Sequence, residues 1–212
     1  APAGSAATEP CGMDLRSGAA KKGAPTDWGR SVKPVPPLIF FLLASTALGG
    51  CTTTAYCPIS STTREQMAVF VLVSKELPGY TPPACGATPM FNDVPASSPF
   101  CRWIEELARR QVVGGCGNNN YCPIASATRE AMAVFVLRTL DPVLNPPACV
   151  AGSEQFADVP ASSGFCRWIE ELANRAVVTG CGGGNYCPTG DVSREQLSVF
   201  LAVTFGLTIY GL

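Results

Sequence analysis

Cysteine is the residue type best placed to do chemistry in this chain: eleven occur in 212 positions. Cys51/Cys57, Cys116/Cys122 and Cys181/Cys187 each have C-x5-C spacing. Cys85/Cys101 and Cys149/Cys166 each join a linker cysteine to one at the start of a helical pattern. Thiols in such numbers imply metal ligation in a reducing compartment or disulfides in an oxidising one. C-x5-C is not a usual zinc spacing, and the chain has no histidine to complete a ligand set. Pairs that recur in register favour five disulfides, each stabilising by about 2–3 kcal/mol through loop entropy. Spacing by itself does not prove their connectivity. Neither a metal nor a cofactor is expected. Cys11 is left over, as a free thiol or as half of an interchain disulfide.

Other chemistry has little to work with. The absence of histidine removes the commonest general base and the physiological pH switch. The one recurring acid pair, Glu105-Glu106 and again Glu170-Glu171, consists of helix neighbours expected to face solvent rather than converge. An enzyme is therefore not expected. Net charge is -1, and no basic run exceeds Lys21-Lys22, so no nucleic-acid partner is expected. Only 15% of residues are charged, low for a solvated monomer, which hints that part of the surface is covered.

These residues sit on a repeat. The segment DVPASSPFCRWIEELARRQVVGGCGNNNYCP from Asp93 returns from Asp158 as DVPASSGFCRWIEELANRAVVTGCGGGNYCP, 65 positions on, without a gap. The same step backwards places Cys116, Tyr121, Cys122, Pro123, Arg129 and Glu130 on Cys51, Tyr56, Cys57, Pro58, Arg64 and Glu65. Three copies follow, which makes the array the functional unit. The divisions are an N-terminal arm at 1–25, a degenerate first repeat at 26–84, a second at 85–148, a third at 149–206 and an apolar tail at 207–212.

Each copy predicts two helices. In the second, Ser98 as N-cap and Pro99 at the first helical position open an amphipathic outer helix. Phe100, Trp103, Ile104, Leu107 and Ala108 form its apolar stripe, and Glu105/Arg109 and Glu106/Arg110 pair on the outer side. Gly114-Gly115 is expected to stop it. Thr128 caps an inner helix that is apolar almost all round, with capping boxes at Thr63/Gln66 and Ser193/Gln196 in the other copies. Three such helices can bury themselves only against each other. A mainly α pseudo-threefold bundle with disulfide-stapled loops and few or no strands is expected.

The first copy departs from this pattern. Residues 37–51, PLIFFLLASTALGGC, resemble a lipoprotein signal with its cysteine acceptor. However, Gly49-Gly50-Cys51 is in register with Gly114-Gly115-Cys116, which favours a first-repeat helix. The run is too short to span a membrane as a helix, so no transmembrane segment is expected. The start, APAGSAATEP, lacks Met and reads as an end left after export. Phe40 and Phe41 stand where Glu105 and Glu106 carry charge, and Trp28 stands where Asp93 and Asp158 fall.

F-x-DVP, an outer helix ending near VV-x-G-x-G, then YCP and a T-R-E or S-R-E step into a second helix resemble the S-layer homology (SLH) repeat. The likeness covers 91–137 and 156–201, and about 38–73 in the degraded copy; the usual Gly-Asp-Gly turn is replaced by GNNN or GGGN framed by cysteines. The resemblance implies a three-repeat cell-surface module whose inter-repeat grooves hold cell-wall polysaccharide. It implies Arg64, Arg129, Arg194, Asp93 and Asp158 as groove residues, with Trp103 and Trp168 as sugar-stacking or core residues.

Two functions follow as expectations, both extracellular or at the cell surface. One is a structural protein that assembles with copies of itself into a layer or filament, through Phe40, Phe41, Phe205, Ile209, Tyr210 and the arm carrying Cys11. The other is a polysaccharide-binding anchor.

Overall fold

The computed structural model describes residues 55–76 and 79–207. Cys11, Trp28, Phe40, Phe41, Cys51, Ile209 and Tyr210, with the segments expected to form the arm and a first outer helix, lie outside the described residues. Five helices are present among the described residues: α1 (Arg64–Lys75), α2 (Cys101–Arg109), α3 (Arg129–Leu140), α4 (Cys166–Asn174) and α5 (Arg194–Phe205). Regular strands are absent there; isolated bridges are the only β pairing.

The inner helices α1, α3 and α5 start where their caps dictate. Thr63, Thr128 and Ser193 are the N-caps, each side-chain oxygen accepting a backbone N–H three residues on. Thr63 and Ser193 complete capping boxes with Gln66 and Gln196. Each inner helix packs on the other two, burying Met67, Met132 and Leu197 completely or nearly so. The outer helices pack one repeat back: α2 on α1, and α4 on α3.

Backbone hydrogen bonds close the inner helices into a ring. Thr62 N–H donates to Val192 O at 2.9 Å, Val192 N–H to Ala127 O at 2.9 Å, and Ala127 N–H to Thr62 O at 2.8 Å. The first helical N–H groups are satisfied the same way. Arg64 and Glu65 donate to Ala125 O and Pro123 O, Arg129 and Glu130 to Gly190 O and Pro188 O, and Arg194 and Glu195 to Ser60 O and Pro58 O. Each helix start is thus completed by the next repeat's loop, and the third by the first repeat's.

The outer helices differ from expectation at both ends. α2 begins at Cys101, not at Pro99. Ser98 instead forms a turn ahead of it: its Oγ accepts Phe100 N–H at 3.2 Å and its carbonyl accepts Cys101 N–H at 3.1 Å. Its hydroxyl therefore supports the turn and not the helix proper. The stop is not Gly114-Gly115. Gln111, at φ 58°, takes the left-handed position, with Gln111 N–H on Ala108 O and Val112 N–H on Leu107 O, both 2.9 Å. That is a Schellman ending with the accompanying apolar contact, since Leu107 and Val112 are both buried. Ala176 and Val177 repeat it in the third copy. Gly115 and Gly180 serve the next loop: a Cβ would lie 2.4 Å from Asn120 O and 2.3 Å from Asn185 O.

A further correction concerns Glu105 and Glu106, which do not face open solvent. Glu105 is buried and accepts Met90 N–H at 2.9 Å. Glu106 accepts Tyr80 O–H at 2.9 Å and Arg110 Nε at 2.8 Å. The proline linker folds back over the outer helix, a tertiary event that helical periodicity does not contain. The expected ion pairs do form, and Arg110 adds one to Glu76.

Disulfides join Cys85 to Cys101, Cys116 to Cys122, Cys149 to Cys166 and Cys181 to Cys187. Cys57 is also disulfide-bonded. This density fits an oxidising, extracellular-like environment. No helix among the described residues is long and apolar enough to cross a membrane.

Candidate functional site

The side chains that recur with the repeat converge at its junctions. Arg64 Nε donates to Tyr121 O at 2.9 Å, and Tyr121 O–H donates back to Arg64 O at 2.9 Å. The guanidinium lies over the Tyr121 ring, 4.8 Å from its centre, and 5.5 Å from that of Phe135. From the lead-in, Asp93 accepts Tyr121 N–H and Cys122 N–H, each at 2.7 Å. An arginine of one repeat and an aspartate and tyrosine of the next thereby form one unit.

The next junction repeats the unit residue for residue. Arg129 Nε donates to Tyr186 O at 2.8 Å, Tyr186 O–H to Arg129 O at 3.0 Å, and Asp158 accepts Tyr186 and Cys187 N–H at 2.7 Å. Arg129 sits 4.6 Å over the Tyr186 ring. At the third junction Arg194 lies 4.9 Å over Tyr56, whose O–H donates to Arg194 O at 3.0 Å. Sequence reasoning named the arginines and aspartates but missed the tyrosines. Their signal was present, since Tyr56, Tyr121 and Tyr186 share the 65-residue register.

Burial governs the electrostatics. Burial pushes the Tyr121 and Tyr186 phenols well above their ordinary value, partly opposed by Arg64 and Arg129. Arg129 and Arg194 are buried and Arg64 is half-buried. Among the described residues, no carboxylate lies in ion-pair reach of Arg64 or Arg129. Their cationic charge is balanced by ring faces and carbonyls, which leaves Nη donors for a further polar or anionic group.

The tryptophans part company. Trp168 is buried, with Arg138 5.0 Å over its ring. The equivalent of Arg138 in the first repeat is Val73, and Trp103 is only half-buried, edge-on to Tyr80. Trp103, Arg102, Ser97, Ser98 and Thr81 line an open cleft of about 460 Å3 beside the Cys85–Cys101 disulfide. A smaller cleft beside Cys149–Cys166, about 150 Å3, lies on a different face of its outer helix and is lined by Arg167, Glu170, Glu171 and Asn174.

Phe205 is half-buried and packs against the core. Among the described residues, carboxylate oxygens and cysteine sulfurs approach each other in three places, as at Asp93, Cys116 and Cys122. Those sulfurs are in disulfides and offer no thiolate to a metal. No protein-family model matches the chain, and no curated protein matches it in sequence.

Proposed function

We propose that this chain is a non-enzymatic, extracellular structural protein of SLH type, a pseudo-threefold wheel that assembles with copies of itself into a cell-surface layer or filament. The observation that carries the proposal is where the chain leaves apolar side chains uncovered. Ile59 and Ile124 occupy the same position in successive repeats and are each 82% exposed. Both sit on loops that cap the inner helices, so both lie at the helices' N-terminal end. Those loops are held by the neighbouring proline carbonyl bonds and by disulfides at Cys57 and Cys122. Rigid, repeated, exposed apolar residues at one end of a bundle suit an interface.

Light scattering across a concentration series tests this, with electron microscopy of the oxidised protein. Assemblies that dissolve on replacing Ile59 and Ile124 by Ser support the reading; monomers at every concentration reject it.

A second reading is the cell-wall polysaccharide anchor, favoured by Arg64 and Arg129, whose charge meets no described carboxylate. Under this reading Arg64, Arg129, Arg194, Asp93, Asp158 and Trp103 border the glycan grooves. Retention on purified wall polysaccharide, lost in Arg64→Ala, supports the anchor; passage through unretained removes it.

A further inference from the structure

The arginines near the start of the two outer helices differ in what holds them. In the third repeat Arg167 donates to Asn145 Oδ1 at 2.8 Å. In the second repeat Thr81, ahead of Pro82-Pro83, stands where Asn145 precedes Pro146-Pro147, and its side chain is shorter. Among the described residues Arg102, the counterpart of Arg167, has neither that bond nor a carboxylate in ion-pair reach. It lines the open cleft of about 460 Å3 together with Trp103, Pro99, Ala84 and Ala96. Trp103 is half-buried there, its ring set edge-on to Tyr80. An apolar wall beside one unpaired, half-buried cation suits an apolar side chain that has a carboxylate next to it.

The chain carries that combination at the N-terminal end of its inner helices. Asp191 stands where the earlier repeats have Ser61 and Ser126. It is exposed, accepts Ser61 Oγ at 3.2 Å and has no cation in ion-pair reach among the described residues. Ser61 lies two residues from Ile59, so this carboxylate and the exposed isoleucine sit together. We infer that Ile59 and Asp191 of one molecule seat in the Trp103–Arg102 cleft of a second copy. Ile59 enters against the Trp103 ring, and Asp191 meets Arg102. The inference rests on the self-assembly reading and names the surfaces that carry it. The two surfaces share no residue, so the contact is heterologous. Each copy fills its neighbour's cleft and keeps its own cleft open to the next, which extends a filament unless the rotation closes a ring.

The test uses the full oxidised chain and its charge-reversed variants. Light scattering gives the concentration at which the native protein assembles. Arg102→Glu and Asp191→Arg, each alone, should raise that concentration about tenfold by setting like charges together. Mixed in equal amounts, the two variants should assemble at the native concentration. The reversed end of one then meets the reversed cleft of the other, and native end meets native cleft. Where a reversal lowers the melting temperature, Arg102→Gln and Asp191→Asn replace it, with an expected rise of about threefold each. If the native protein assembles but the variants match it, or the reversed pair does not recover on mixing, the inference falls and the self-assembly reading stands. A native protein that stays monomeric at every concentration removes both. If Arg102→Glu loses retention on wall polysaccharide while assembly is unchanged, the cleft belongs to a sugar and the inference is overturned.

Discussion

At the scale of single residues, the junction aspartates carry more than their exposure suggests. Asp158 takes two backbone N–H groups at 2.7 Å, and neither has another acceptor among the described residues. Bonds to a charged acceptor contribute roughly 1.5–3 kcal/mol each, and their loss strands the donors. Asp158→Ala should destabilise by about 3 kcal/mol in urea unfolding, and Asp158→Asn by about half that, since an amide oxygen can still accept. Glycine replacement should separate two positions that look alike in sequence. In Gly180→Ala the new Cβ meets Asn185 O at 2.3 Å from a φ of 93°, a loss of about 3 kcal/mol. Gly114→Ala meets nothing within 4 Å and should leave the melting temperature within a degree or two. The aspartates and arginines were legible because they recur. Their mutual target, the tyrosine backbone, was not, because the contact joins residues 57 and 28 apart.

At the scale of elements, beginnings were easier to read than endings. Thr63, Thr128 and Ser193 announce the inner helices because capping chemistry is local. Gln111 and Ala176 end the outer helices in a left-handed conformation that sequence reserves for glycine, and tertiary packing of Val112 and Val177 holds them there. The linker's return over α2 was likewise illegible, and it changes the titration of Glu106. Burial would raise this carboxyl, but bonds from Arg110 and Tyr80 outweigh it and hold it below the ordinary carboxylate value. A depressed carboxylate stabilises the fold above its unfolded pKa and loses that contribution as pH falls through the folded value. Glu65 and Glu130, raised by burial, act with the opposite sign, so the whole-protein curve blends the two. The difference in stability between the native chain and Glu106→Gln isolates the term. It should be full at about pH 6 and shrink between about pH 5 and 3. A difference that stays constant across that window would remove Glu106 from the acid response. The linker staple can be weighed separately: replacing Cys149 and Cys166 by Ser should cost about 3 kcal/mol, against about 2 for the shorter Cys181–Cys187 loop.

At the scale of the whole molecule, a repeat array can be open or closed, and the two unfold differently. In an open solenoid each unit touches only its neighbours, so a terminal unit can fray alone. Here the third inner helix donates its first N–H groups to Ser60 and Pro58 of the first repeat, and Thr62 bonds to Val192. The array therefore has no free end among its inner helices, and losing either terminal unit opens two junctions. The 65-residue register was legible in the sequence, and the apolar inner helices pointed to a bundle; the hydrogen-bond partners that close the ring were not legible, since nothing local distinguishes Pro58 from Pro123 as a partner. Closure predicts that α1, α3 and α5 exchange their slowest amide hydrogens in a single cooperative event with the same free energy. Truncation after residue 148 strands Arg129 and Glu130 N–H, which bond Gly190 and Pro188 in the intact chain. The shortened chain should lose protection in α1 and α3 together, not retain a folded pair of repeats. Native-state hydrogen exchange on the intact and truncated chains decides it: graded protection, with α1 and α3 intact after truncation, would make this an open stack whose ring of bonds contributes little.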